Sequence, residues 1–475
     1  MDYPLIDDLT DFVCNTSFDD LPAEVVDESI RNILDSIGCA LAGMSHPRGQ
    51  IGARFGALQK GEEATILGTG ERASMFGAAF ANAEAINALD FDAILPPGHV
   101  APYCFPAALA MGESLKSGGK DLILATALAN EISNRIGKAM DYTRDVRDGK
   151  MSPPTVWGFS STVFGSTAGV AKLKGLDRDK VHNAISIAGL SAPVNAAACW
   201  REHSPPTTLK YNLAGAITQA ALTAAFMAEL GHRGDAQIFD PEFGYPKFSG
   251  TRRWEPANTV KDLGKVWNFP KEASFKFYPH CRVLAAPLDA LIGLVREHAL
   301  KPDEIEGIKA WVEGFLVRPL WLNRDITHVT DAQFSVAHGL ALGAHDFTPG
   351  PDWQDPEKVY APSVMSLMER TEHVVHPDYV KQLMGDADAR PTRVEVRARG
   401  RTYVAERSHP RGTSRPGGPE YFTTPELIDK FMINARYVIA EEQARALADR
   451  IMNLATLKDV NQMTAIIRPG AKKAA

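Results

Sequence analysis

Leu89-Asp90-Phe91-Asp92, followed by Pro96-Pro97-Gly98-His99, puts two carboxylates and an imidazole into one short stretch. Such a set can move protons: a carboxylate beside an imidazole orients the ring and raises its basicity. The competing reading is a helix C-terminus running into a turn, with both acids solvated or capping. A metal site has less support, since no second histidine stands at ligand spacing.

Other stretches offer cations. Arg135 could hold a carboxylate at a domain seam, although Glu131 stands one helical turn earlier and suits a helix-surface pair. Lys210 leads into an Ala-rich, almost uncharged helix, so its ammonium either snorkels to solvent or points into a pocket. The run Lys276-Phe277-Tyr278-Pro279-His280-Cys281-Arg282 gathers two cations, a phenol, an imidazole and a thiol at a suspected domain junction. Ligand sites favour such junctions, and carboxylates favour Arg and Lys. A basic solvated linker is the alternative there. His338, on an apolar helix after Gln333, reads first as a core histidine, and His203 lies near enough to Lys210 to be a candidate.

Several function classes lose support. Gly68-Thr69-Gly70 lacks the third glycine of a dinucleotide fingerprint and has no strand–helix context; no P-loop and no Gly-x-Ser-x-Gly elbow occurs. The net charge of −7 is spread along the chain, which argues against nucleic acid or an anionic membrane as partner but not against a small anion in a locally basic pocket. The five cysteines are scattered, without a Cys-x-x-Cys pair, as suits a reducing cytoplasm. Met1-Asp2-Tyr3-Pro4 carries an acid where a secretory leader needs basic residues, and no apolar run approaches the roughly 18 to 20 residues of a membrane span. A soluble cytoplasmic protein is the expectation.

These residues need a scaffold, and 475 residues exceed what one hydrophobic core usually serves. The first half reads as helix, opening at Asp20 and Pro22 and stopping at Gly43. Further helices are expected at about 74–89, 104–117, 121–136, 163–174, 178–190 and 213–230. Small residues in several of them allow close helix packing. Beyond about 270 the pattern changes: a strand at about 308–313 and a hairpin at about 392–407 stand among helices at about 283–298, 329–344 and 355–369. Thr424 as N-cap and Pro425 at the first helical position open a last helical stretch to about 458. The fold class read here is mainly α, with a smaller α+β region whose boundaries fall near 270 and 410.

The ordered set Leu89-Asp90-Phe91-Asp92 with His99, Arg135-Ile136-Gly137-Lys138-Ala139, Lys172-Leu173-Lys174-Gly175-Leu176, Lys276-Phe277-Tyr278-Pro279 and Ala332-Gln333-Phe334-Ser335 resembles the MmgE/PrpD family. That family contains 2-methylcitrate dehydratases, cis-aconitate decarboxylases and iminodisuccinate epimerases. The resemblance spans nearly the whole chain. It implies a large all-helical domain of residues 1–269 together with 410–475, a smaller inserted α+β lid of residues 270–409, a homodimer, an interdomain pocket that needs no cofactor and no metal, and a small polycarboxylate substrate. It also implies pocket roles for Asp90, His99 and Lys210. The chain departs from the pattern at Val156 and Ala285, where family dehydratases and decarboxylases place histidines, and at His338, where a tyrosine is usual.

The expected chemistry is abstraction of a proton α to a carboxylate, with His99 as acid or base, Asp90 orienting it, and Lys210 in the catalytic set. Lys276, Tyr278, His280, Arg282, His338 and Arg135 are the candidate substrate contacts. Expulsion of a β leaving group would make a lyase; reprotonation on the other face, an epimerase. A helical dimer that binds a ligand without catalysis is the reading from a different class.

Overall fold

The computed structural model describes residues 4–154, 158–194, 197–413 and 417–468, so Val156 lies outside the described residues. The architecture is mainly helical with a few small sheets. No helix among the described residues is long and apolar enough to cross a membrane.

The helices of the first half follow the apolar periodicity closely: Ala23–Ala42, Met75–Asn87, Ala101–Leu115, Gly119–Ala139, Thr162–Leu173, Arg178–Ser191 and Ala214–Glu229. Their small residues permit near contact of backbones. A Cβ on Gly165 would stand 2.3 Å from the Ala129 carbonyl oxygen, so the helices 119–139 and 162–173 touch only because that position is bare.

The second half is organised on a four-stranded sheet. Its strands are β1 (Ile305–Val312), β2 (Thr371–Val375), β3 (Thr392–Ala398) and β4 (Arg401–Arg407), in spatial order β4-β3-β1-β2. β1 pairs parallel with β2 and antiparallel with β3, and β3–β4 is the hairpin read from the sequence. Ile308, Ala310, Val312, Val394 and Val396 are buried. The helix Ala285–Glu297 packs against β3 and β4. β4 is mostly exposed and carries Arg401 and Arg407, charges that blunt an open sheet edge.

Four expectations need correction, the first being the helix anticipated at 355–369, which is two pieces, Pro356–Val359 and Pro362–Glu369. The helix anticipated at 329–344 is two pieces, Val329–Ala332 and Val336–Gly343. Ser335 breaks it with extended backbone, and its side chain caps the second piece by accepting from the His338 amide. The last helical stretch is likewise split into Thr424–Ala435 and Glu441–Met452. Its N-cap is Thr423, because Glu426 then stands at the third helical position and closes a capping box, with Pro425 in the first turn. The helix Thr424–Ala435 packs back onto Ala23–Ala42, bringing the end of the chain to the first half.

Candidate active site

The helix Met75–Asn87 ends just before the acidic motif, and the last carbonyls of a helix lack intrahelical partners. Here five consecutive carbonyls are each met by a side chain from elsewhere. Asn87 O accepts from Lys210 Nζ at 2.6 Å, Ala88 O from Gln333 Nε2 at 2.8 Å, and Leu89 O from Gln354 Nε2 at 2.8 Å. Asp90 O accepts from Lys276 Nζ at 2.6 Å and Phe91 O from Lys430 Nζ at 2.8 Å. Three ammonium groups at a helix C-terminus also complement its dipole.

That support holds Asp90 in the left-handed backbone region, at φ 53°. Lys210 is left-handed too, at φ 55°. Non-glycine residues held there cost on the order of 1–3 kcal/mol each and collect at functional sites. The turn brings the Asp90 carboxylate to Lys276 Nζ at 2.7 Å and to Lys210 Nζ at 3.4 Å. Burial alone would raise the Asp90 pKa; Lys276, Lys210 and His99 outweigh it and hold the acid well below the usual carboxylate range. Lys210 responds the other way. Burial pushes its ammonium down to about 7 against the pull of Asp90, helped by Arg48 and Lys276.

His99 sits on a two-residue ladder in which it pairs with Ile94, and Ile94 is tied in turn to Ser274. Its Nδ1 lies 2.6 Å from Asp92 Oδ2, and its Nε2 lies 3.5 Å from Asp90 Oδ1. Asn87 Nδ2 donates to Asp92 Oδ1 at 3.1 Å, and Asn87 and Tyr211 OH are hydrogen-bonded. The Tyr211 ring stacks on the imidazole at 5.4 Å. Asp92 meets the ring at Nδ1 and Asp90 stands beside Nε2, so both acids of the motif flank the imidazole. With Nδ1–H donating to Asp92, Nε2 is left as the proton acceptor. Burial opposes ionisation of Asp92, but His99 outweighs it by charge and hydrogen bond and keeps the acid below its ordinary pKa.

Asp90 and His99 line a cavity of about 70 Å³. Phe159, Trp200 and Tyr211 from the first half wall it, and Cys281, Arg282, Glu313, Phe334 and Arg390 close it from the second. Ile94, Tyr142, Arg144, Arg282 and Arg390 also line a neighbouring cavity of about 420 Å³. Gly98 borders the inner cavity at φ 151°, where a Cβ would meet Phe159 Cε1 at 2.3 Å. Among the described residues, no group of three His, Cys, Asp or Glu side chains is placed to hold a metal ion.

Several candidates lie elsewhere. Lys210 and Lys276 do not line the cavity; their ammonium groups are spent on Asp90 and on backbone carbonyls. Arg135 is buried on Glu131 and donates to the carbonyls of Thr259, Lys261 and Val266, a structural tie remote from the cavity. Tyr278 donates to Asp289 at 2.9 Å and does not line the cavity. His280 lies against Gly339, and burial pushes it down to about 3. His338 Nε2 is 2.9 Å from the Val359 carbonyl, and burial pushes it down to about 4. His203 is exposed, with Nδ1 on the Cys199 carbonyl. Ala285 begins its helix as a buried core residue. His99 is thus the one histidine lining the cavity among the described residues.

The groups sequence reasoning passed over are Asn87, Tyr211, Arg144, Glu313 and Arg390. Asn87 stood next to the motif, so its place was open to inference. Arg390 and Glu313 carried no local signal.

Comparison with known proteins completes the description. Residues 7–256 match the model of the MmgE/PrpD N-terminal domain and residues 278–455 that of the MmgE/PrpD C-terminal domain. A human cis-aconitate decarboxylase is 25% identical over 468 residues, covering 94% of this chain and 91% of that protein. A cis-aconitate decarboxylase-like protein of Aspergillus oryzae is 25% identical over 496 residues, covering 97% and 96%. A cis-aconitate decarboxylase of Aspergillus terreus is 26% identical over 310 residues, covering 60% and 59%.

Proposed function

The chain belongs to the MmgE/PrpD family, and from that membership we propose that it is a lyase acting on a small di- or tricarboxylate by proton transfer at the carbon α to a carboxylate. The observation that carries the reading is the Asp92–His99 pair, whose imidazole lines a cavity together with Asp90, Arg144, Arg282 and Arg390. In this reading His99 Nε2 takes the proton and Asp92 stabilises the imidazolium that results. Asp90, kept ionised by Lys276 and Lys210, fixes the ring from the other side. The basic residues at the cavity supply the positive field for an anionic substrate. The relatives named as cis-aconitate decarboxylases make cis-aconitate the first substrate to try, with elimination from citrate and 2-methylcitrate next.

The same reading treats residues 270–409 as a lid on a body built from 1–269 and 410–475. Support comes from the cavity walls, which draw on both stretches. It further takes the protein to be a cytoplasmic homodimer, which size-exclusion chromatography with light scattering tests for assembly and fractionation for location.

Incubation with each acid in deuterated buffer, followed by NMR, tests the chemistry. The expected result is either a new vinylic signal, as elimination removes the α proton and the β leaving group, or carbon dioxide release with one solvent deuteron on the carbon that is protonated in its place. Exchange without elimination would instead make the enzyme an epimerase. A His99→Asn variant that kept full activity would overturn the assignment of the base.

A further inference from the structure

The inner cavity, at about 70 Å³, has room for two or three water molecules, each of which occupies about 30 Å³ in the liquid. A tricarboxylate that presents its reacting carbon to His99 must therefore extend past the residues shared with the outer cavity. Those residues are unusually cationic. Arg144, Arg282 and Arg390 line both spaces.

Glu313 is the carboxylate in direct ion pairs with two of them, while Asp289 and Asp388 act on Arg282 only by charge at longer range. Glu313 is buried; it pairs with Arg390 through Oε1 and with Arg144 Nε at 3.3 Å through Oε2, which also accepts from Tyr379 OH at 3.0 Å. Arg144 is further held by the Ala387 and Ala389 carbonyls. Arg282, also buried, has no carboxylate within ion-pair distance among the described residues. It donates instead to the Arg411 carbonyl at 2.9 Å and to Ser274 Oγ at 2.6 Å. These two bonds fix the plane of the guanidinium and leave three of its five N–H groups for a ligand. A buried cation without an anion is costly, and the cost falls when a ligand supplies one. Burial first, and then the neighbouring Arg390, push the Arg282 pKa down to about 9, against the opposing pull of Asp289, Glu313 and Asp388.

We propose that Arg282 and Arg390 form a subsite for the substrate carboxylate remote from the reacting carbon, with Glu313 and Arg144 holding Arg390 in place. The inference rests on the reading of the Asp90–His99 cavity as the active site, and it makes substrate length and the second carboxylate the basis of selection. Bidentate guanidinium–carboxylate contact suits this task better than an ammonium.

Calorimetric titration of the full-length protein tests it with three saturated acids that offer no leaving group: tricarballylate, glutarate and butyrate. The wild type is expected to bind the first two at least about tenfold more tightly than butyrate. Arg282→Gln and Arg390→Gln are each expected to lose about ten- to hundredfold in affinity for tricarballylate and glutarate, with butyrate unchanged. Should Arg282→Gln fail to fold, Arg282→Lys, which keeps the charge but not the fork, is expected to lose part of the discrimination. Equal loss for all three acids, no loss in either variant, or no binding of any acid by the wild type would overturn the proposal. The His99→Asn variant keeps the two ideas apart. If it still turns substrate over, the assigned base is wrong; if it binds tricarballylate as the wild type does, the subsite stands regardless.

Discussion

Asp92 Oδ2 stands 2.6 Å from His99 Nδ1, so the imidazole is tied at the nitrogen that faces away from Asp90. A hydrogen bond from Nδ1–H to Asp92 favours one tautomer and leaves Nε2 beside Asp90.

Asp92→Asn keeps the shape but offers an amide where the ring needs an acceptor. It is expected to lower kcat by about 10²-fold or more, with a small change in KM. Steady-state kinetics on the substrate found in the NMR screen measures it. An equal rise in KM with kcat intact would show that Asp92 serves only binding.

Lys276→Met removes the nearest counter-ion of Asp90 and leaves a carboxylate buried with a weaker partner. Destabilisation of about 3–5 kcal/mol is expected from breaking one side of a buried pair. Urea denaturation reads it, and the double variant with Asp90→Asn is expected to recover part of the loss. No recovery in the double variant would mean that packing, not charge, accounts for the effect.

Lys210 supplies a pH dependence. Its folded pKa is about 7 against 10.5 for a free lysine. Between those values the unfolded chain binds the extra proton, so stability rises with pH from about 7 upward. Below about 7 both states carry the proton, and the cost of burying the charge is present in full. The urea midpoint is expected to increase from pH 7 to pH 9 by more in the wild type than in Lys210→Met. Identical pH slopes for the two proteins would contradict it.

Gly98→Ala tests the wall of the cavity. The added methyl meets Phe159 at 2.3 Å from a backbone at φ 151°, so either the ring or the ladder carrying His99 must shift. Activity is expected to fall by at least about tenfold, since small misplacements of a catalytic group are costly. Full activity in a stable Gly98→Ala protein would show that the ladder does not fix His99.

The parts of this molecule that sequence reading reached are those fixed by local periodicity or by one short motif. Apolar spacing located the helices of the first half, and alternation located the hairpin of β3 and β4. Asp90 and His99 stood out because they share a turn. Which acid faces which ring nitrogen was not legible, because it depends on the left-handed backbone at Asp90. Gln333 and Ser335 looked like helix interior, yet one side chain leaves to bond the Ala88 carbonyl and the other caps the next helix. Tertiary bonds there outweigh local propensity. Arg390 and Glu313 come from β-strand ends far along the chain, and only the folded sheet brings them to the cavity.

The five carbonyls from Asn87 to Phe91 are met by donors lying between 123 and 339 residues further along the chain. The turn carrying Asp90 therefore cannot be completed by its own neighbourhood. Long-range pairings of this kind close large loops and form slowly, whereas helices such as 119–139 depend on local contacts. On dilution from denaturant, helical circular dichroism should return first, and catalysis should lag until the final segment carrying Lys430 has docked. Simultaneous recovery of both signals would count against such an order. During synthesis the turn around Asp90 would stay incompletely braced until Lys430, 339 residues beyond Phe91, has left the ribosome.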